Sequence, residues 1–334
     1  MTDASSDTPS VIERTRPIAA GAGVVAAAFL TDTPVFVLGE ETLLFAAKDN
    51  ETRVAAHGGG ILTAVSDGTR IVTGGDDGKV VTTDAAGTTT VIATDAKRRW
   101  IDHVAIGPDG ATAWSVGKQA FVKPGKGDER TQEVPSSVGG LAFAPKGFRL
   151  AIAHYNGATL WFPNAAAKPD AMEWKGSHTD VMFSPDGRFL VTAMQEPTLH
   201  GWRLADGKHM RMSGYAAKVR SMAWTVAGKW LATSGSTQLI LWPFQGKDGP
   251  MGKQPELLAP REQRVMVVAC HPTQEIVAVG YDDGMVLLVR IHDGAEVLAR
   301  SPGDGSVSAL AWNTSGTLLA FGTEDGAAGV IDLA

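Results

Sequence analysis

A phrase of strand, tight turn and strand recurs along the chain at intervals of 36 to 46 residues. Its best-formed copy spans residues 183–192. There Pro185 presets φ for the turn, and Asp186 and Gly187 supply a side-chain hydrogen bond and a position with positive φ. Apolar residues of high β propensity flank the turn on both sides. The phrase therefore predicts a short two-stranded unit that is repeated through the chain.

The repeat is clearest at the last apolar residue before each turn. Eight residues share this position: Phe29, Val65, Ile106, Phe143, Phe183, Trp224, Cys270 and Trp312. The residue just before it is alanine in seven of the eight copies, and only Met182 departs. One small residue at a fixed place in every copy predicts a crowded position where the units converge.

Each copy continues with a turn, a third strand and, in most copies, a more variable fourth strand. Four short antiparallel strands in about 40 residues are typical of one blade of a β-propeller. We therefore predict an all-β fold, a β-propeller of four-stranded antiparallel blades. Eight sets of strands predict eight blades, and seven remain possible if the divergent first copy has been misread.

The two ends of the chain predict how the ring closes. The last copy ends at Ala334, directly after its third strand, and residues 11–14 form an extra strand-like segment before the first copy. Pairing of this N-terminal strand into the C-terminal blade would remove an exposed sheet edge. Residues 1–10 are polar, so we expect a disordered tail followed by a single propeller domain at residues 11–334.

Net charge, cysteine content and the lengths of apolar runs exclude or disfavour several classes of function. The net charge of −6 argues against a nucleic-acid partner bound through a bulk positive field. The single cysteine, Cys270, excludes an intrachain disulfide and a Cys-based zinc cluster, and its apolar neighbours indicate a small buried hydrophobe. No apolar run reaches the length of a membrane span, so we expect no membrane partner.

One N-terminal stretch could be a poor export signal, because Arg14 and Arg16 precede the apolar residues 18–30. Asp3, Asp7 and Glu13 dilute the positive charge of its start, and cleavage would remove the opening strand of the first copy. The expected compartment is therefore the cytoplasm.

Several residues resemble positions of the WD40 repeat family. Residues 183–192 are similar to the family's turn between first and second strands. Three tryptophans end third strands, where the family places its Trp: Trp161, Trp202 and Trp242. His57 and His178 lie just before first strands, where the family places a His. No Trp-Asp dipeptide occurs. Over about residues 11–334 the chain resembles a divergent WD40 protein, which implies a propeller and a protein-binding role.

Sequence motifs for catalysis, phosphate binding and metal binding are missing. There is no Gly-x-Ser-x-Gly, no phosphate loop and no His-Glu-x-x-His. The glycine-rich residues 74–79 lie between two predicted strands and indicate a hairpin turn. The eight histidines occupy different places in their copies, which favours structural or surface roles over a metal site. We expect no enzyme activity, no cofactor and no metal.

Candidate binding residues come from loops that differ between copies. The loops that lead into first strands and the turns between second and third strands are expected to share the face that WD40-like proteins usually use for binding. An exposed aromatic residue beside Arg is typical of a binding hot spot. The strongest candidate for such a hot spot is the cluster at residues 97–100. The alternative is a solvated basic loop in which the side chain of Trp100 packs into the blade. The partner-binding candidates are Arg98, Arg99, Trp100, Tyr155, Arg264 and Tyr281.

The function expected from these observations is a non-catalytic scaffold that binds protein partners through the loops of one propeller face. The alternative is a propeller, possibly enzymatic, that binds a small molecule or a metal at the mouth of the central channel. A nucleic-acid-associated scaffold is a third class, which the net charge disfavours.

Overall fold

The computed structural model describes residues 10–334, and thirty strands form nearly all of its regular structure. The first fifteen strands are β1 (Thr15–Ala19), β2 (Val24–Leu30), β3 (Thr33–Leu38), β4 (Thr42–Ala46), β5 (Glu51–Ala55), β6 (Ile61–Ser66), β7 (Arg70–Gly75), β8 (Lys79–Asp84), β9 (Thr89–Thr94), β10 (Val104–Ile106), β11 (Thr112–Val116), β12 (Gln119–Lys123), β13 (Arg130–Glu133), β14 (Gly140–Phe143) and β15 (Leu150–Trp161).

The remaining strands are β16 (Asp170–Phe183), β17 (Phe189–Met194), β18 (Thr198–Arg203), β19 (His209–Ser213), β20 (Met222–Trp224), β21 (Trp230–Thr233), β22 (Leu239–Pro243), β23 (Glu256–Leu258), β24 (Val265–Cys270), β25 (Ile276–Tyr281), β26 (Val286–Arg290), β27 (Glu296–Arg300), β28 (Val307–Trp312), β29 (Leu318–Thr323) and β30 (Ala327–Asp332). The described helices are 3-10 turns at Ile12–Arg14, Pro108–Gly110 and Val226–Gly228. Within residues 10–334 no helix has the length and apolar character needed to cross a membrane.

The strands of residues 10–334 form seven sheets, six with four strands and one with six. The four-stranded sheets are β2–β5, β6–β9, β10–β13, β20–β23, β24–β27 and β28–β30 with β1. First strands contact one another in the pairs β2 and β6, β6 and β10, β10 and β14, β20 and β24, and β24 and β28, and β28 of the last sheet contacts β2 of the first. The six-stranded sheet packs on the sheet β20–β23 through a shared apolar cluster. The sheets are therefore blades around a central axis, which confirms the predicted all-β propeller.

The expectation of eight blades is wrong, because the described residues form seven hydrogen-bonded sheets. The fourth and fifth copies merge into one sheet with the order β14-β15-β16-β17-β18-β19. Tyr155 pairs with Ser177 of β16 and Gly157 pairs with Glu173, which joins the two copies, and the register shifts at the expected turn, where Asn156 has a φ of 67° and Gly157 a φ of 134°. The divergent first copy, on which the alternative of seven blades depended, forms its own sheet.

The ring closes through the N-terminal strand, but four to five residues later than expected. Residues 11–14 do not supply the strand, because Ile12–Arg14 is a 3-10 turn. Instead β1 pairs with β30, with Thr15 opposite Ile331 and Ala19 opposite Ala327. Pro17 lies within β1, which is possible because this strand is paired on one side alone and the missing N–H costs no ladder bond on the open side.

Apolar side chains are buried between neighbouring blades. Val277 and Val279 of β25 pack toward the preceding blade, and Ala278 packs toward the following one. A strand that is covered on both faces needs apolar residues at every position, which accounts for the continuous apolar run in β25. The recurrent alanines before the turns lie between blades too; Ala223 and Ala269, for example, are half-buried against the apolar clusters there.

The predicted disordered tail lies, apart from Ser10, outside the described residues, and the domain boundary at residue 11 stays a prediction.

Candidate functional site

One face of the propeller, called the upper face below, carries the loops that lead into first strands and the turns between second and third strands. Backbone hydrogen bonds join each such loop to its turn. The amide of Asp282 donates to the carbonyl of Arg264 at 3.0 Å, and the amide of Asp76 donates to the carbonyl of Gly60 at 3.0 Å. The loops that lead into first strands and the turns between second and third strands therefore lie on one face, as the sequence predicts. Backbone hydrogen bonds hold these loops against the ends of the strands.

Asp95 holds the loop of residues 97–100 in place through hydrogen bonds. One carboxylate oxygen of Asp95 accepts hydrogen bonds from the amides of Lys97 and Arg99, each at 3.0 Å. The other accepts from Nη2 of Arg99 at 2.7 Å. The side-chain hydrogen bond from Arg99 is the largest cause that lowers the pKa of Asp95 to about 2. The Asp95 carboxylate thus fixes the backbone of this loop at Lys97 and at Arg99.

Trp100 is exposed over 61% of its surface. Ile101 directly after it is fully buried, and its amide donates to the carbonyl of Gly75 at 3.2 Å. Because the chain is anchored on both sides of Trp100, the indole projects from a fixed base. The alternative in which Trp100 is tucked into the blade is therefore wrong. Arg98 is exposed beside it and has a φ of 52°, while Arg99 is engaged with Asp95.

Tyr155 and Arg264 are also on the upper face and are both exposed. Tyr155 is 57% exposed and borders a groove of about 750 Å³ that Ser136, Trp174 and Lys175 line as well. The guanidinium Nε of Arg264 donates to Asp282 at 3.3 Å, so part of its charge is already paired. These two candidates remain available to a partner.

Tyr281 is a mistaken candidate, because the side chain has no exposed surface. Its hydroxyl donates to the carbonyl of Ala259 at 3.1 Å, and burial raises its pKa to about 12. The sequence placed Tyr281 next to an acidic turn, but it is the last residue of β25 and its ring faces the preceding blade. Tyr281 therefore stabilises the fold and cannot contact a partner in this structure.

His57 and His178 have structural roles. His57 contacts Asp77 through Nδ1 at 3.0 Å and Thr73 through Nε2 at 2.8 Å. Burial alone would raise the pKa of Asp77, but hydrogen bonds from the Gly58 amide and from His57 lower it to about 2. The buried ring of His178 contacts Thr192 at 2.7 Å. In residues 10–334 no cluster of three or more His, Cys, Asp or Glu side chains could hold a metal ion.

An aromatic stack on the six-stranded sheet was not anticipated from the sequence. Trp174 stacks on His200 with ring centroids 4.0 Å apart, and His209 follows at 5.3 Å from His200. Neither ring nitrogen of the buried His200 has a partner within the described residues, and burial lowers its pKa to about 3. The stack joins two copies of the repeat, so the periodic pattern within one copy carries no signal for it.

Comparison with known proteins matches two parts of the chain. Residues 264–334 match the family described as anaphase-promoting complex subunit 4 WD40 domain, and residues 208–243 match the WD domain, G-beta repeat. WD repeat-containing protein 1-B of Xenopus laevis is 32% identical over 77 residues, which cover 22% of this chain and 13% of that protein. Together with the propeller fold, these matches support a WD40-repeat β-propeller protein. WD40 propellers are typically protein-interaction scaffolds and are generally non-enzymatic.

Solved structures share the fold of this propeller. The computationally designed Ika8 protein superposes with a TM-score of 0.76 at 16% identity, covering 93% of this chain and 96% of its own. The C-terminal WD40 domain of Sif2 superposes with a TM-score of 0.76 at 15% identity, covering 96% and 98%. At these identities the likeness extends to the fold alone.

Proposed function

We propose that this WD40 propeller is a non-catalytic scaffold that binds a protein partner through its upper face. The observation that carries the proposal is Trp100, which is 61% exposed on a loop that Asp95 holds in place. Tryptophan and arginine dominate binding hot spots in protein interfaces. A loop that is already ordered loses little conformational entropy when the partner binds.

In this proposal Trp100 and Arg98 make the central contacts, and Arg99 positions them through its ion pair with Asp95. Tyr155 and Arg264 extend the contact surface onto other blades of the same face. The partner would therefore cover several loops, as expected for an interface of standard size.

The test is affinity purification of the tagged full-length protein from its native cell, with co-purifying proteins quantified by mass spectrometry. Trp100→Ala and Arg98→Ala are compared with wild type. Because truncation of a hot-spot residue costs 2 kcal/mol or more, capture should fall at least about tenfold in Trp100→Ala. The matched control is Leu257→Ala, which removes an apolar side chain that is 53% exposed on the outer strand β23, away from the upper face.

Equal capture by wild type and Trp100→Ala would remove residues 97–100 from the interface. Equal losses in Trp100→Ala and Leu257→Ala would indicate a general effect on the protein and would also contradict the proposal. Unchanged thermal unfolding of both variants is the required check, because each altered side chain lies on the surface.

We also place this role in the cytoplasm. A fluorescent fusion of the full-length chain should be distributed through the cytoplasm, and export of the fusion would contradict this placement.

A further inference from the structure

A small pocket of about 90 Å³ opens on the upper face between the sheets β20–β23 and β24–β27. Three basic side chains line it, Lys218, Arg220 and Arg264, and no carboxylate is among its lining residues. Lys218 and Arg220 come from the loop that leads into β20, and Arg264 directly precedes β24. Two loops of neighbouring blades thus direct positive charge into one cavity.

The backbone around the pocket is held by hydrogen bonds. Val219 is buried between Lys218 and Arg220, so the two basic residues lie on the outer side of the same segment. The Ser234 hydroxyl oxygen accepts from the amide of Arg220 at 3.1 Å, and the Gly235 amide donates to the carbonyl of Val265 at 3.1 Å. Both loops are therefore fixed against the turn after β21.

The charge of the pocket is only partly neutralised. Arg264 donates through Nε to Asp282, and Lys218 donates to Gln195 at 3.2 Å. The Asp180 carboxyl also interacts electrostatically with Lys218, although desolvation raises the pKa of Asp180 to about 6. The guanidinium of Arg220 makes no hydrogen bond or ion pair with any residue in 10–334. An exposed guanidinium without a partner, beside two further cations, favours the binding of an anion.

We propose that this pocket binds an oxyanion, the carboxylate or phosphate group of a ligand. Guanidinium groups donate parallel hydrogen bonds that match both kinds of oxyanion. A volume of about 90 Å³ corresponds to roughly three water molecules, which suits one such group. The pocket shares Arg264 with the protein-binding surface proposed above, whereas Lys218 and Arg220 belong to the pocket alone and Arg98 and Trp100 to a loop of other blades.

The test is isothermal titration of the full-length protein with inorganic phosphate and, separately, with acetate at constant ionic strength. At least one of the anions should saturate a single site. Arg220→Gln removes charge-assisted hydrogen bonds and should weaken that binding at least about tenfold. Lys218→Gln should weaken it in the same direction. Arg98→Gln, which removes an exposed guanidinium elsewhere on the upper face, should bind as wild type does.

The two titrations also distinguish the sources of the oxyanion, since the anion that binds more tightly identifies the group that the pocket prefers. Absence of saturable binding for both anions would overturn the proposal. Binding that is unchanged in both Arg220→Gln and Lys218→Gln, or that is weakened equally in Arg98→Gln, would overturn it as well. Trp100→Ala is also tested for anion binding. Loss of partner capture with unchanged anion binding in this variant would show that the two proposals can be tested separately.

Discussion

At the scale of the residue, different side chains fill one structural position from blade to blade. In three blades a threonine of the second strand is hydrogen-bonded to a polar ring that lies ahead of the first strand. The hydroxyl of the same threonine donates to a carbonyl of the third strand. The ring and threonine pairs are His57 with Thr73, His178 with Thr192, and Tyr215 with Thr233. Tyrosine replaces histidine in the last pair, so the position demands hydrogen bonding more than a particular ring.

The tyrosine pair makes a prediction about stability. The Tyr215 hydroxyl lies 2.9 Å from the Thr233 hydroxyl and accepts from Nε1 of the buried Trp242 at 2.7 Å. Tyr215→Phe would leave the indole N–H buried without a partner, which costs about 1–3 kcal/mol. We expect the free energy of unfolding in urea to fall by that amount.

The control for this change is Tyr155→Phe, because Tyr155 is exposed and its hydroxyl makes no hydrogen bond with the described residues. It should alter the free energy of unfolding by less than about 0.5 kcal/mol. Equal effects of the two substitutions would show that the buried hydrogen bonds of Tyr215 do not stabilise the propeller.

At the scale of the element, the loop from Asp95 to Ile101 is ordered by one carboxylate. A β carbon on Gly78 would come within 2.7 Å of Cα of Arg98, and Gly78 has a φ of 76°, so the loop lies directly on the turn after β7. Since the pKa of Asp95 is lowered to about 2, its contacts are complete above its ordinary value of 3.8 and are lost as the pH falls through about 2. The loop is therefore ordered throughout the neutral range.

Removal of this carboxylate should loosen the loop without unfolding the propeller. In Asp95→Ala the amides of Lys97 and Arg99 lose their acceptor, so we expect faster hydrogen exchange of the peptide that covers residues 95–101. Partner capture should fall as well, because Trp100 would no longer be held in one position.

Asp102→Ala is the matched control, since Asp102 is exposed, follows the same loop and has no hydrogen bond with the described residues. Its hydrogen exchange at neutral pH should match wild type. Unchanged exchange in Asp95→Ala would mean that other contacts, such as those of Ile101, order the loop.

At the scale of the whole molecule, one five-residue strand closes the ring. β1 pairs with β30, and Ile18 of β1 is buried among residues of the first and last blades. Arg14 adds a hydrogen bond to the carbonyl of Ala334 at 3.0 Å. The first and last blades are thus joined both by their apolar faces and by a strand that crosses from one end of the chain to the other.

Truncation tests this closure. A chain that lacks residues 1–19 would leave β30 as an unpaired edge and would lose the burial of Ile18. Loss of one buried isoleucine alone costs about 2–5 kcal/mol. We expect a lower midpoint of urea unfolding and concentration-dependent association in sedimentation experiments.

A truncation of residues 1–9 leaves β1 in place and serves as the comparison. Its unfolding midpoint and sedimentation should equal those of the full-length chain. If the longer truncation behaved in the same way, pairing of β1 with β30 would contribute nothing to the stability of the ring.

Local sequence determined the repeat, the β-propeller and the turns, because each depends on residues that are close in the chain. Proline, aspartate and glycine at residues 185–187 specify a tight turn wherever they occur between apolar strands. Alanine at one position in seven of the eight copies predicted, for the same reason, a place where the units converge. The upper face also followed, since loop positions in a repeated unit recur with the unit.

Tertiary structure decided the blade count, the closing strand and the accessibility of each candidate. Residues 155–157 have the composition of a turn, but the pairing of Tyr155 with Ser177 of β16, which joins two copies in one sheet, depends on the tertiary structure. Trp100 and Tyr281 both adjoin charged residues in sequence, but one is 61% exposed and the other is fully buried. The cluster of Lys218, Arg220 and Arg264 spans two blades. Contacts between residues that are distant in the chain determine these features, and a pattern within one repeat contains no information about them.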